Sequence, residues 1–222
     1  MNKNQAAWVW AYREQLKFLD EFDARGLQCA ERGWSDPAWN GFLNVYSLGR
    51  GYHSKLRGSR EAILNAVEPL FKKRLPRQDV TGALSKRWEE GVRIVRALPT
   101  LKTEDGQPPE LWSFASKLLW FYHPDEMTMY DNNAKKGLHS IAGCPVTHRN
   151  FLQIFEEQFA RQLPDINLAG TRCDRKYPYQ RRVLDKWLWL KGNKDGEARL
   201  HNFQLSLKLA PITPFPVISD GY

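Results

Sequence analysis

An all-α fold is predicted by three observations. Apolar residues recur at three- and four-residue spacing through most of the chain, Pro and Gly punctuate those runs at helical lengths, and no series of strands can be traced. At 222 residues the chain fits one globular domain or two interlocked subdomains. That length buries about 70 per cent of the unfolded surface without crosslink or metal. With 42% hydrophobic residues and nine tryptophans, it reads as a folding sequence.

From Ala6 to Phe22, Trp8, Tyr12, Leu16, Leu19 and Phe22 form a stripe with Arg13, Glu14, Lys17 and Asp20 between them, which predicts a first helix. Ser35-Asp36-Pro37 supplies an N-cap and an early proline for a second helix, Ala38 to Leu48, stopped by Gly49-Arg50-Gly51. Glu61 to Leu70 and Gln78 to Ala97 read as two more, separated by Arg74-Leu75-Pro76-Arg77. The polar stretch Leu101 to Pro108 marks a boundary between an N-terminal helical subdomain, 1–100, and a second, 101–222, giving a two-lobed bundle. In the second lobe Pro109 opens a central helix ending at Pro124. Thr147 to Leu163 is expected to stop at Pro164, and Pro164 to Pro178 to form a charged loop. Arg181 to Leu190 makes a last strong helix, and Pro211 to Tyr222 an extended or frayed tail.

Thirty-three Lys and Arg against twenty-five Asp and Glu give a net charge of +8 and favour a polyanionic partner such as nucleic acid. Three cysteines without a CxxC pair suit a reducing compartment, so a cytoplasmic location is expected. Cys144 and His148 share a CxxxH spacing but lack partners for zinc, and no metal or cofactor is expected. The first residues read as the start of an amphipathic helix rather than a secretion signal, and no apolar run is long enough to span a membrane. No Ser-His-Asp motif, P-loop or HExxH is present.

The segment Pro109 to Leu138 carries the most chemistry. Leu111, Phe114, Ala115, Leu118, Leu119 and Tyr122 build an apolar stripe, and at ~100° per residue Lys117 lies about 120° from its centre, at the edge of a groove or solvent. Past Pro124, Tyr130-Asp131-Asn132-Asn133 opens another helix. Asp131 suits an N-cap, and the same position suits a carboxylate that stabilises positive charge on a sugar as its base departs. Two further stretches are candidate contacts for phosphate and bases. One is Gly49 to Arg60, with Arg50, Tyr52, His53, Lys55 and Arg57; the other is Arg172 to Arg182, with Arg175, Lys176 and Arg181.

Phe114 to Leu119, FASKLL, followed by Met127 to Leu138, MTMYDNNAKKGL, resembles the helix, connection and aspartate of the helix-hairpin-helix DNA glycosylase superfamily. The similarity is nearest to its compact archaeal 8-oxoguanine branch and to bacterial glycosylases that attack modified phage DNA. It covers about thirty residues. The resemblance implies a DNA N-glycosylase that works on a flipped-out nucleotide, with Asp131 assisting base loss and Lys117 attacking the sugar carbon in the manner of bifunctional members. Tyr130 or a tryptophan would stack on the base, and Asn132 and Asn133 would bond its edge or the backbone. The glycine-rich hairpin LPGVG is absent, Ala97-Leu98-Pro99-Thr100-Leu101 standing in its place, and Lys117 lies closer to Asp131 than such a lysine usually does. Strand-cutting and non-cutting chemistry both stay open. The alternatives are a non-catalytic nucleic-acid-binding or regulatory protein, in which Asp131 only caps a helix, and a nuclease holding magnesium through Asp125, Glu126 and Asp131.

Overall fold

The computed structural model describes residues 2–48, 53–101 and 111–209, and these are helical with no strand among them. Arg50, Tyr52, most of the expected boundary after Leu101 and the tail from Pro211 lie outside the described residues.

Helix α1, Lys3–Phe18, starts where Asn2 caps it and Gln5 returns the bond to the Asn2 backbone. A wider π-type turn, Leu19–Asp23, carries the chain into α2, Ala24–Arg32, an amphipathic helix beyond the expected end at Phe22. The extra residue in that turn rotates Asp23 to the inside, where it is fully buried. The first helical run ends only at Gly33, whose φ of 103° suits glycine.

Next come α3, Asp36–Val45, with Ser35 as N-cap, and α4, His53–Gly58. This second piece makes part of the candidate contact stretch, Gly49 to Arg60, a short helix, anchored where the Trp39 indole donates to the Leu56 carbonyl. Helices α5, Arg60–Phe71, and α6, Val80–Ala97, pack on each other, and α6 also packs on α7, Trp112–Trp120.

Helices α8, Asn132–Ala142, α9, Phe151–Gly170, α10, Gln180–Gly192, and α11, Gly196–Leu209, complete the chain. Pro164 does not end α9 as expected. The helix runs on to Gly170 because Ile166 and Ala169 are buried, and their burial offsets the bond and the steric room that an interior proline removes. Residues 164–170 are therefore helix, not loop. Helix α11 was not foreseen; its apolar face is weak, with Leu200 buried and Glu197 paired to Lys3 at 2.7 Å.

Helix α1 packs on α9, α10 and α11, so the first element of the sequence is interleaved with the last ones. The core is continuous and aromatic: Trp8 stacks on Trp187 at 4.4 Å, and Trp34, Trp39, Phe42, Phe114 and Phe121 meet edge to face or tilted. Among the described residues no helix is long and apolar enough to cross a membrane.

Helices α8 and α10 approach so closely that a Cβ on Gly137 would stand 2.0 Å from the Leu188 carbonyl oxygen, and one on Gly192 would stand 1.9 Å from that of Asn133. This pair of glycines sets the distance between Asp131, at the head of α8, and the charged residues of α10.

Candidate functional site

Lys117 and Asp131 come together at the junction of two hollows. An inner recess of about 420 Å³ is lined by Gln15, Tyr46, Lys117, Asp131, Arg182, Asp185, Lys186 and Trp189, among others. An outer cleft of about 880 Å³ has Arg96, Trp112, Ser113, Asn132, Lys135, His148 and Arg149 in its wall. Tyr46, Ser47, Lys117, Asp131 and Asn133 belong to both. Both volumes fall in the range of ligand sites. A separate, smaller and mostly apolar hollow beside Cys29 and Trp34 holds neither residue.

Asp131 is held from two directions. Ser116, buried on α7, accepts from the Tyr130 backbone N–H at 2.9 Å, which pins the extended connection to the central helix. The Asp131 side chain then caps α8, its Oδ1 accepting from Asn133 at 2.7 Å and Ala134 at 3.2 Å. Both bonds end on Oδ1, and Oδ2 takes none from the described residues. Capping thus engages one oxygen of the carboxylate and leaves the other without a bond from the described residues.

Lys117 is only 7% exposed, so the edge position read from the helix opens onto the recess and not onto bulk solvent. Its amine donates to Ser113 Oγ at 2.8 Å and lies 6.0 Å from the centre of the Tyr46 ring. Burial lowers the amine from its ordinary range. Nearby Arg182 adds to that shift, while Asp131 and Asp185 work against it.

Behind Lys117 lies a buried charge array. Arg182 and Asp185, one turn apart on α10 and each 5% exposed, form an ion pair. Burial pushes the Asp185 carboxyl up to about 6 in spite of Arg182. Asp23 accepts from the Tyr46 hydroxyl, and the Tyr177 hydroxyl reaches its other oxygen at 3.5 Å. Among the described residues, three buried atoms in the recess wall have no hydrogen-bond partner: Gln15 Oε1, Arg182 Nε and Asp185 Oδ1. A polar wall left unsatisfied in this way suits a polar occupant.

The other anticipated contacts are scattered. Asn132 and Asn133 line the outer cleft. Tyr130 is 8% exposed and its ring packs on Trp88 and Phe151, at 5.1 and 5.0 Å, so it serves mainly as core. His53, Lys55 and Arg57 lie on α4 and do not line either hollow. Arg175 is engaged with Asp20 at 2.5 Å, and Lys176 is exposed nearby. Arg181 pairs with Glu156 at 2.8 Å and donates to the Asp125 carbonyl. Sequence reading passed over Arg96, Arg149, the Trp112–His148 stack at 3.9 Å, and the recess groups Gln15, Tyr46, Asp185 and Lys186, while Arg182, which it placed in the basic stretch, is buried in the recess wall. One signal was available for α10: Arg182 and Asp185 interrupt an otherwise apolar face that includes Val183, Leu184 and Leu188.

Among the described residues no three His, Cys, Asp or Glu side chains converge as a metal site requires, and Asp125, Glu126 and Asp131 form no such group. Compared with protein-family models, with curated proteins and with solved structures, the chain matches none.

Proposed function

We propose that the protein is a DNA glycosylase that excises a modified base from an extruded nucleotide. The observation that carries this reading is the meeting of a buried lysine amine and a rigid carboxylate at the mouth of a polar recess, beside a cleft walled by Arg96, Lys135 and Arg149. The three cations suit backbone phosphates, the recess suits a base, and the junction between them suits the sugar.

In this mechanism Asp131 stabilises the positive charge that grows on the sugar as the C1′–N bond breaks. Burial favours the neutral amine of Lys117, the form whose lone pair can close on C1′; the base leaves with the bond pair, and the proton shed by the amine ends on it. If water attacks instead, Lys117 orients the substrate and an abasic site remains without strand cleavage.

A second reading, a nucleic-acid-binding module without catalysis, is favoured by the bonds through which Asp131 caps α8. Asp131→Asn separates the two, since asparagine caps a helix about as well as aspartate but carries no charge. The assay incubates normal and phage-modified DNA with the protein in chelator, then counts abasic sites with an aldehyde-reactive probe before and after hot alkali. The resemblance to glycosylases acting on modified phage DNA chooses those first substrates. Base release by wild type and its loss in Asp131→Asn, with DNA affinity retained, is the expected result. Intact DNA with tight binding would move the binding module ahead.

A further inference from the structure

Lys186 faces the same recess as Lys117 and has no place in the mechanism above. Its amine lies over three rings, 4.7 Å from Phe18, 4.9 Å from Trp189 and 5.5 Å from Trp10, so α1 and α10 together build an aromatic cage around it. Among the described residues it makes no hydrogen bond and no ion pair. Glu14 from α1 and Asp185 from its own helix favour its charge, while Arg182, Arg199 and burial itself oppose it.

Ring faces are weak acceptors, so the ammonium can turn an N–H group to a stronger acceptor that enters the recess. Lys186 is partly buried, its ammonium is flanked by rings, and an acceptor that enters the recess in place of water gains a charge-assisted hydrogen bond from it. The sugar sits by Lys117 and Asp131 at the mouth, and the base therefore reaches the wall that carries Lys186.

We infer that Lys186 is a catalytic residue, the caged cation that contacts the extruded base and takes up the negative charge the base gains as it departs; the inference rests on the glycosylase reading. The C1′–N bond breaks with its electron pair going to the base nitrogen. Lys186 donates a hydrogen bond to the base and keeps its own proton, while the neutralising proton comes from the attacking Lys117 amine or water. A preorganised donor of this kind acts mainly on the transition state.

The test is single-turnover excision by wild type, Lys186→Met and Lys186→Arg from oligonucleotides carrying hypoxanthine, 8-oxoguanine or 7-methylguanine. Affinity for a tetrahydrofuran abasic-site oligonucleotide reports folding and strand binding. Lys186→Met is expected to lose about 100-fold on the bases that depart as anions. It should lose nothing on 7-methylguanine, which departs neutral; Lys186→Arg should recover most of the loss, and abasic-site affinity should stay constant. An equal loss on all three bases, or no loss on any, overturns the role of Lys186. Failure of wild type to release any base from these or phage-modified DNA overturns the glycosylase reading and the inference with it, whereas a defect confined to the variants bears on Lys186 alone.

Discussion

Gly137→Ala tests whether the close approach of α8 and α10 builds the site. In an open helix the change would stabilise by roughly 0.5–1 kcal/mol, because alanine loses less backbone entropy. Here the new Cβ would stand 2.0 Å from the Leu188 carbonyl oxygen, so reaching the 3.4 Å of ordinary contact opens the helix pair by about 1.4 Å. A gap of 0.5–1 Å already forfeits about a quarter to a half of the dispersion energy of each contact across it. If two buried leucines each direct half of their ~50 contacts across the gap, the loss is roughly 2–4 kcal/mol. Net of the alanine gain, the variant should be less stable by about 1–3 kcal/mol, lowering Tm by about 2–12 °C.

The same shift moves the head of α8, with Asp131, away from the charged residues of α10 that share the recess, so excision should fall by about 100-fold. Denaturant unfolding and single-turnover excision read the two effects. Gly41→Ala serves as the control, since a Cβ there meets nothing within 4 Å and the substitution should stabilise. If Gly137→Ala stabilises as Gly41→Ala does and leaves excision unchanged, the argument from close packing is refuted.

Three more outcomes are expected. Lys117→Met should abolish a borohydride-trapped covalent adduct without loss of stability at neutral pH. Because burial lowers the folded-state amine below the 10.5 of a free lysine, wild-type stability relative to Lys117→Met should rise as pH climbs towards 10.5; a flat difference would contradict that burial. The Asp185 carboxyl is raised from 3.8 to about 6, so its protonation favours the folded state. Wild-type stability relative to Asp185→Asn should therefore decline as pH rises between about 4 and 6 and level off above, as read by unfolding across pH. Arg149→Ala and Arg96→Ala should each weaken DNA binding and reduce the slope of log K against log salt by about 1. Arg181→Ala, whose guanidinium is held by Glu156, should leave that slope unchanged.

The sequence by itself determined the helical class, the start of α8 at Asp131 and the position of Lys117 at the edge of the central helix. Each follows from interactions within a few residues: apolar periodicity, a capping carboxylate and the geometry of one helix. Local signals failed where burial outweighed them. Pro164 reads as a stop, yet Ile166 and Ala169 keep α9 going, and α11 lacks the amphipathic pattern that would announce it. Arg175 and Arg181 belong to a basic stretch suited to DNA, but the carboxylates of Asp20 and Glu156, supplied by other helices, engage them.

Only the tertiary structure decided what surrounds Lys117. Gln15, Tyr46, Asp131, Arg182, Asp185 and Lys186 come from four parts of the chain, and no local spacing encodes their meeting. It depends on how near α8 lies to α10 and on how α1 packs against the C-terminal helices. Those distances are fixed by side-chain volume across interfaces, a property of paired surfaces that neither strand of sequence carries alone.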